Sequence, residues 1–269
     1  MADVYATIQD ADREVVERLA EILELRAADL QQVAMREEYL RRVEFPANAR
    51  VVEVGCGTGA VARALSGLPE VATVVGVDPS PVFIDRARAL AEDLTNLSFL
   101  EGDARALPFD DGSVDVAVFH TTLCHVPGPE IALGEAARML DGRGQLVIFD
   151  GDYATTTCAI GSFDPLQACL DVSVDQLVHD RWLVRRLSRL VTAAGLVVAS
   201  FRSHSYVETP SSGSYMITII DRGADLLHAA GRIGAETAEA LKAEARRRSD
   251  AGEFFGFIAY ASLIAHKAR

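Results

Sequence analysis

The chain of 269 residues reads as a doubly wound α/β protein, a mostly parallel sheet with helices on both faces. Three observations predict this. From residue 49 onward, short apolar runs alternate with segments of helical periodicity. The runs lack polar alternation, as strands covered on both faces do. The first run ends in a glycine-rich turn, EVGCGTGA at 53–60, that opens the next helix. In order, residues 10–44 read as helix, with Val15, Leu19, Ile22 and Leu23 at three- and four-residue spacing. Pro46 and Asn48 punctuate the entry to a strand at 49–55. A helix at 61–68, a strand at 71–78, a helix at 81–94 and a strand at 97–103 follow, then a strand at 113–120, a helix at 129–140 and a strand at 144–150. Right-handed crossovers make such a series one sheet.

After Asp150 the alternation breaks. Residues 151–180 hold a Thr-rich turn and a helix from Pro165, and 181–195 read as a helix ending on Gly195, a left-handed cap. Strands are expected at 196–208 and 254–268, and the roughly 45 residues between them as two helices, a length that suits a specificity element. The expected organisation is an N-terminal helical lid at 1–45 and a main domain at 46–269, with 151–180 and 208–252 as substrate-side insertions.

Composition narrows the function. Acidic residues outnumber basic ones 39 to 26, and the net charge of −13 opposes binding to a phosphate backbone. The dense basic run Arg246–Arg248 lies in an Ala/Glu-rich helical stretch and reads as a solvated face. No stretch has the roughly 18 uninterrupted apolar residues of a membrane span. The acidic N-terminus lacks the basic and apolar regions of a signal peptide, so a cytoplasmic location is expected. Cys56, Cys124, Cys158 and Cys169 show neither CxxC pairing nor metal-ligand spacing with the six histidines. The expected partner is a small molecule, with no nucleic acid, membrane or metal, and a homodimer is compatible with the chain.

The glycine turn fits two ligands. Gly55, Gly57 and Ala60 satisfy the dinucleotide fingerprint. Glu53 with Gly55, Gly57 and Gly59 equally suits S-adenosylmethionine (SAM). In such sheets the ligand lies at the carboxyl ends of the strands, where strand order reverses. A carboxylate at Glu53 would repel a pyrophosphate there by about 1–4 kcal/mol at about 4 Å. It would attract an ammonium and a sulfonium. Asp78, ending the second strand, can accept both ribose hydroxyls, and Pro79 offers the adenine an apolar face. Asp103 ends the third strand and can accept from the adenine amino group, with the Ala104 N–H for a ring nitrogen. The acids at three successive strand ends thus match ammonium, ribose and adenine in turn.

With these residues in hand, the chain resembles the class I SAM-dependent methyltransferases, in the group that acts on small molecules (methyltransferase type 11-like). The matching stretches are 53–60, VVGVDPSP at 74–81, FLEGDARALPFDDGSVDVAVFH at 99–120 and LCHVPGPEIALGEAARML at 123–140. They cover 49–150 densely and 181–206 more loosely. The resemblance implies a Rossmann-like seven-stranded sheet whose last strand, at roughly 254–266, inserts antiparallel between strands five and six, with the helical insertion before it. It implies SAM as cofactor and a cofactor set of Arg36, Glu53, Gly55, Cys56, Gly57, Gly59, Asp78, Pro79, Asp103, Ala104 and His120. Where relatives carry a turn rich in Pro and Gly before strand five, this chain has DGRGQ at 141–145.

Methyl transfer needs the acceptor held at near-attack distance, and a base where it loses a proton. His125 matches the second position of a tract whose first histidine is a base in some relatives, and here that first position is Cys124. His125 therefore reads either as the base or as a histidine packing the next helix. Asp150 and Asp152, after strand five, are equal candidates for the base. Tyr153, His204, Tyr206, Tyr215 and Met216 are expected to wall the acceptor pocket. Arg36 reads as a contact for the methionine carboxylate or as an exposed residue, Asp221 with Arg222 as a surface ion pair, and Trp182 as core. Tyr5 and Tyr39 are assigned to the lid.

The expected activity is methyl transfer from SAM to the oxygen or nitrogen of a small acceptor. Two alternatives stay open: a SAM-binding protein of this fold without methyl transfer, and a nicotinamide oxidoreductase, which Glu53 opposes and for which no hydride-transfer constellation stands out.

Overall fold

A computed structural model describes residues 3–209 and 215–267. The sheet has seven strands in the order β3-β2-β1-β4-β5-β7-β6. They are β1 Ala49–Val54, β2 Val71–Asp78, β3 Leu97–Glu101, β4 Val114–His120, β5 Leu140–Thr157, β6 Leu196–Glu208 and β7 Gly256–Lys267. β1 to β5 run parallel, and β7 lies antiparallel between β5 and β6. Strand order reverses between β1 and β4, which opens the crevice at their carboxyl ends. The runs of Val and Ile on β1, β4 and β5 are buried on both faces.

The helices are α1 Arg13–Ala28, α2 Leu30–Leu40, α3 Ala60–Ser66, α4 Pro81–Leu90, α5 Pro129–Met139, α6 Pro165–Leu177, α7 Leu187–Ala193, α8 Tyr215–Ala229 and α9 Ala235–Asp250. The single helix expected over 10–44 is two. Asp29 leaves the helical region (φ −63°, ψ 129°), and its carboxylate caps α2 by accepting from the N–H groups of Gln31 and Gln32. That turn lets α1 pack on α3 and α4 while α2 reaches the edge strand β6, where the Gln31 side-chain amide pairs with both main-chain groups of Val207.

Two further expectations change. The Thr-rich stretch after Asp150 is strand, because β5 runs on to Thr157 against β7. The helix expected over 181–195 is a 3₁₀ turn at Leu183–Arg186 followed by α7, although Gly195 does end it in the left-handed region at φ +83°. The two expected insertion helices are α8 and α9. α8 crosses α6 at backbone contact, since a Cβ at Gly223 would lie 1.9 Å from the Cys169 carbonyl oxygen. Among the described residues no helix is long and apolar enough to cross a membrane.

Candidate functional site

A cavity of about 720 Å³ opens at the carboxyl ends of β1, β2 and β4, within the range of pockets that bury a small ligand. Its floor is the turn after β1. Gly55 (φ +72°) lies in the left-handed region, and a Cβ there would sit 2.1 Å from Thr122 Cγ2, so only glycine fits against β4. Thr122 Oγ1 donates to the Gly55 carbonyl at 3.2 Å. Asp78 ties the turn to β2, its Oδ2 accepting the Gly57 N–H at 2.8 Å and its Oδ1 the Ser80 N–H at 2.9 Å. Burial raises the Asp78 carboxyl to about 6 despite those two donors.

Glu53 is the most strained group of the floor. It is buried, and its Oε2 has no hydrogen-bond partner. Burial is the main reason its carboxyl rises to about 8; the Ala62 backbone N–H opposes the rise, the Asp78 charge adds to it, and Arg36 lowers it again. A buried carboxylate left in this state is stabilised by an arriving cation.

Pro79, Asp103, Ala104, Cys56, Arg36 and His120 line the same cavity. The Asp103 carboxylate is held by the Arg105 guanidinium at 2.6 Å, and that bond lowers its pKa. Burial pushes the Cys56 thiol up, so it stays protonated. His120 Nδ1 shares a hydrogen bond with the Tyr39 hydroxyl at 2.9 Å, and its ring stacks on Phe149. Burial, and then Arg26 and Arg36, hold His120 well below its ordinary value, so the imidazole is neutral.

Beyond the glycine turn the walls change character. α1 contributes Arg26, whose guanidinium donates to Thr121 Oγ1 at 2.6 Å. β5 contributes Tyr153, and α8 contributes Tyr215, Thr218, Ile219 and Arg222, one helical stripe at i, i+3, i+4 and i+7. His125 closes the rim next to Tyr5, ring centroids 4.7 Å apart. Its Nδ1 lies 2.8 Å from Asp3 Oδ2, and the Asp3 carboxylate also accepts the N–H groups of Tyr5 and His179. With Nδ1–H donating to that carboxylate, Nε2 keeps its lone pair.

A sequence model of the methyltransferase domain family matches residues 52–148, the span that builds the floor of this cavity. Over that span the chain carries a methyltransferase domain. The chain is 36% identical over 107 residues to the ubiquinone/menaquinone biosynthesis C-methyltransferase UbiE of Sinorhizobium fredii, covering 38% of this chain and 42% of that protein. Among solved structures it resembles the YcgJ protein of Bacillus subtilis (TM-score 0.60, 19% identity, 87% of this chain and 98% of that one). It also resembles the [4+2]-cyclase SpnF (TM-score 0.57, 22% identity, 89% and 84%). The chain spans about half the length of the first curated relatives it matches, 43%, 54% and 44%. SAM is the cofactor of this family. The buried, unpartnered oxygen of Glu53 suits its ammonium, so the residues present fit the cofactor.

Several residues that the sequence assigns to the site lie elsewhere in the fold. The Asp150 carboxylate is buried off the cavity, accepting the N–H groups of Cys124 and Gly151 at 3.1 and 2.9 Å. Asp152 pairs with Arg185 at 2.9 Å, also away from the cavity. Neither acid lines the cavity, whereas Tyr153 and Thr156 of the same strand do. His204 is buried beside Phe149, bonded to Ser262 at 2.8 Å and facing Glu38 at 3.2 Å. The Tyr206 hydroxyl donates to Glu208 at 3.0 Å, and Met216 packs on Gly256 under α8, on the side away from Tyr215.

Three other assignments change. Asp221 pairs with Arg246, so Arg222 is free of it and lines the cavity. Trp182 is 49% exposed and carries the Arg185 guanidinium 4.4 Å from its ring centroid. Tyr39 is fully buried core, joined to His120. Arg26, Asp3 and Arg222 are the residues that sequence reasoning missed. Arg26 has one local signal, its place on the apolar side of α1 with Leu19, Ile22 and Leu23, all of which line the cavity.

Proposed function

We propose that the methyltransferase moves the methyl group of SAM to an oxygen or nitrogen of a small organic acceptor in the cytoplasm. The observation that carries this reading is the unpartnered Glu53 oxygen beside the glycine turn, a group suited to a cationic ligand and unsuited to a pyrophosphate. In this reading Glu53 holds the ammonium of SAM and Arg36 its carboxylate. Asp78 takes the ribose hydroxyls, Pro79 packs on the adenine, and Asp103 and Ala104 bond its edge, with Arg105 swinging off Asp103. The glycines at 55, 57 and 59 admit the chain close to the ligand, with Cys56 and His120 as neutral walls. SAM supplies the electrophilic methyl when bound.

On the acceptor side, His125 is the base, with Asp3 positioning its ring through Nδ1 so that Nε2 can take the acceptor proton. Tyr153 and Tyr215 orient the acceptor. α1 and α2 act as a lid that keeps water from the reacting atoms. A second reading, a SAM-binding protein with another reaction, is supported by the likeness to the cyclase SpnF.

Thermal unfolding with SAM, with NAD and with NADP tests the cofactor, and a rise in Tm with SAM only is expected. An acceptor screen by mass spectrometry then reads a mass gain of one methylene, and product NMR tells oxygen or nitrogen from carbon. A Tm rise with the dinucleotide only would reject the SAM assignment. SAM binding with no S-adenosylhomocysteine formed across phenols, amines, carboxylates and sugars would favour the second reading.

A further inference from the structure

Although the chain carries a net charge of −13, the cavity wall is rich in arginine. Arg26, Arg36 and Arg222 line its interior, and among the described residues none has a carboxylate within ion-pair distance. The acids that line the same volume are accounted for. Asp103 is held by Arg105 and Asp225 by Lys242, while Glu53 and Asp78 sit at the glycine turn. Arg36 is the cavity-lining arginine that acts electrostatically on Glu53, and one cofactor carboxylate satisfies one such group. Apart from the exposed Arg18, two guanidinium groups then remain, Arg26 on α1 and Arg222 on α8. Arg26 spends a donor on Thr121. Arg222 keeps its Nε–H buried without a partner, which is costly unless a ligand accepts it.

We propose that the acceptor is an anion, a carboxylate or a phosphate monoester, whose charged group is bound by Arg222 on α8 in the cavity that Arg26 also lines. The inference rests on the methyltransferase reading above. Guanidinium is the side chain best matched to the planar carboxylate and to phosphate oxygens. Around it Val174, Leu177, Ile219 and Ile258 form an apolar wall, so the rest of the acceptor is an apolar body. Tyr215 and Thr218 lie two turns and one turn before Arg222 on the same stripe and add hydroxyls to the anion site.

The test is titration of the full chain, saturated with S-adenosylhomocysteine, with matched probes. 4-Hydroxyphenylacetate and octanoate are each set against their amides, and phenyl phosphate against phenol. The expected result is at least tenfold tighter binding of one class of anion than of its neutral twin, the carboxylate and phosphate pairs telling the two sources apart. In Arg222→Gln that preference disappears, in Arg222→Lys part of it returns, and SAM affinity is unchanged in both. Equal or absent binding of every acid and its neutral twin, or a preference that survives Arg222→Gln, overturns the proposal. SAM affinity is read in a separate titration of the same proteins without S-adenosylhomocysteine, and absence of SAM binding by the parent protein would reject the methyltransferase reading itself.

Discussion

The two ends of the cavity are built by opposite means. The glycine-turn end is made of strand tips within residues 53–104, close in sequence and carrying buried carboxylates. The far end is assembled from α1, β5, α6, α8 and β7, spread from residue 5 to residue 258, and carries arginines and tyrosines. At the first end the backbone itself does much of the holding, through Gly55 on Thr122 and Asp78 on Gly57 and Ser80. At the second, side chains projected from separate helices meet across a gap. A site built from one short stretch can be encoded locally; one assembled from separate elements is set by how they pack.

The contrast can be broken at four places. The largest expected effect is at His125. His125→Gln should lower kcat by about a hundredfold to ten-thousandfold with SAM affinity intact, the range for loss of a positioned base. An unchanged kcat in steady-state assays would return this histidine to a packing role. Next, Asp78→Asn should weaken SAM binding by about a hundredfold, since hydrogen bonds to a charged group contribute about 1.5–3 kcal/mol each. Calorimetric titration that finds near-normal affinity would show that the ribose lies elsewhere.

The third concerns pH. The Glu53 carboxyl is raised from 4.5 to about 8 in the fold, so the folded state holds a proton that the unfolded state has released. Its contribution is therefore present at low pH and is lost as pH rises toward 8. Asp78, raised from 3.8 to about 6, acts the same way in a lower window, while His120 and His204, whose values are lowered by burial, oppose both. The unfolding free energy of the ligand-free protein minus that of Glu53→Gln isolates the effect. It should fall by about 1–3 kcal/mol between pH 6 and pH 8. A flat difference would mean that Glu53 is not buried as described.

The smallest effect is expected at Asp152. Asp152→Asn breaks a pair whose arginine is 47% exposed, and it should cost less than about 1 kcal/mol and leave methyl transfer untouched. A hundredfold loss of kcat there would bring the second strand-end acid back into the site.

Much of the fold was legible because its signals are local. Unbroken apolar runs mark β1, β2, β4 and β5, and the spacing of the glycines with Glu53, Asp78 and Asp103 places three acids on three successive strand ends. The resemblance supplied the antiparallel last strand, which periodicity alone did not. On β5 the candidates were Asp150, Asp152 and Tyr153, of which Tyr153 lines the cavity, and on β6 His204 and Tyr206, neither of which does. Asp150 and Asp152 stand on β5, whose faces are both covered, so polarity did not reveal the phase, whereas on β6 His204 and Tyr206 lie on the buried face of a strand exposed on the other. On α8 a shift of one residue separates Tyr215, in the cavity, from Met216, in the core.

The amino-acid sequence by itself determined the alternation of strands and helices, the glycine turn and the acids that follow β1, β2 and β3. Each depends on residues within a few positions of one another, or on one strand's reach. Only the tertiary structure decided that Asp3 holds His125, that Arg26 and Arg222 face one volume, and that Asp150 and Asp152 do not. Those relations join residues as much as 196 positions apart, from 26 to 222, and no local propensity encodes them. They follow from which helix faces are buried once the sheet exists, because burying apolar stripes fixes where the polar residues between them must point.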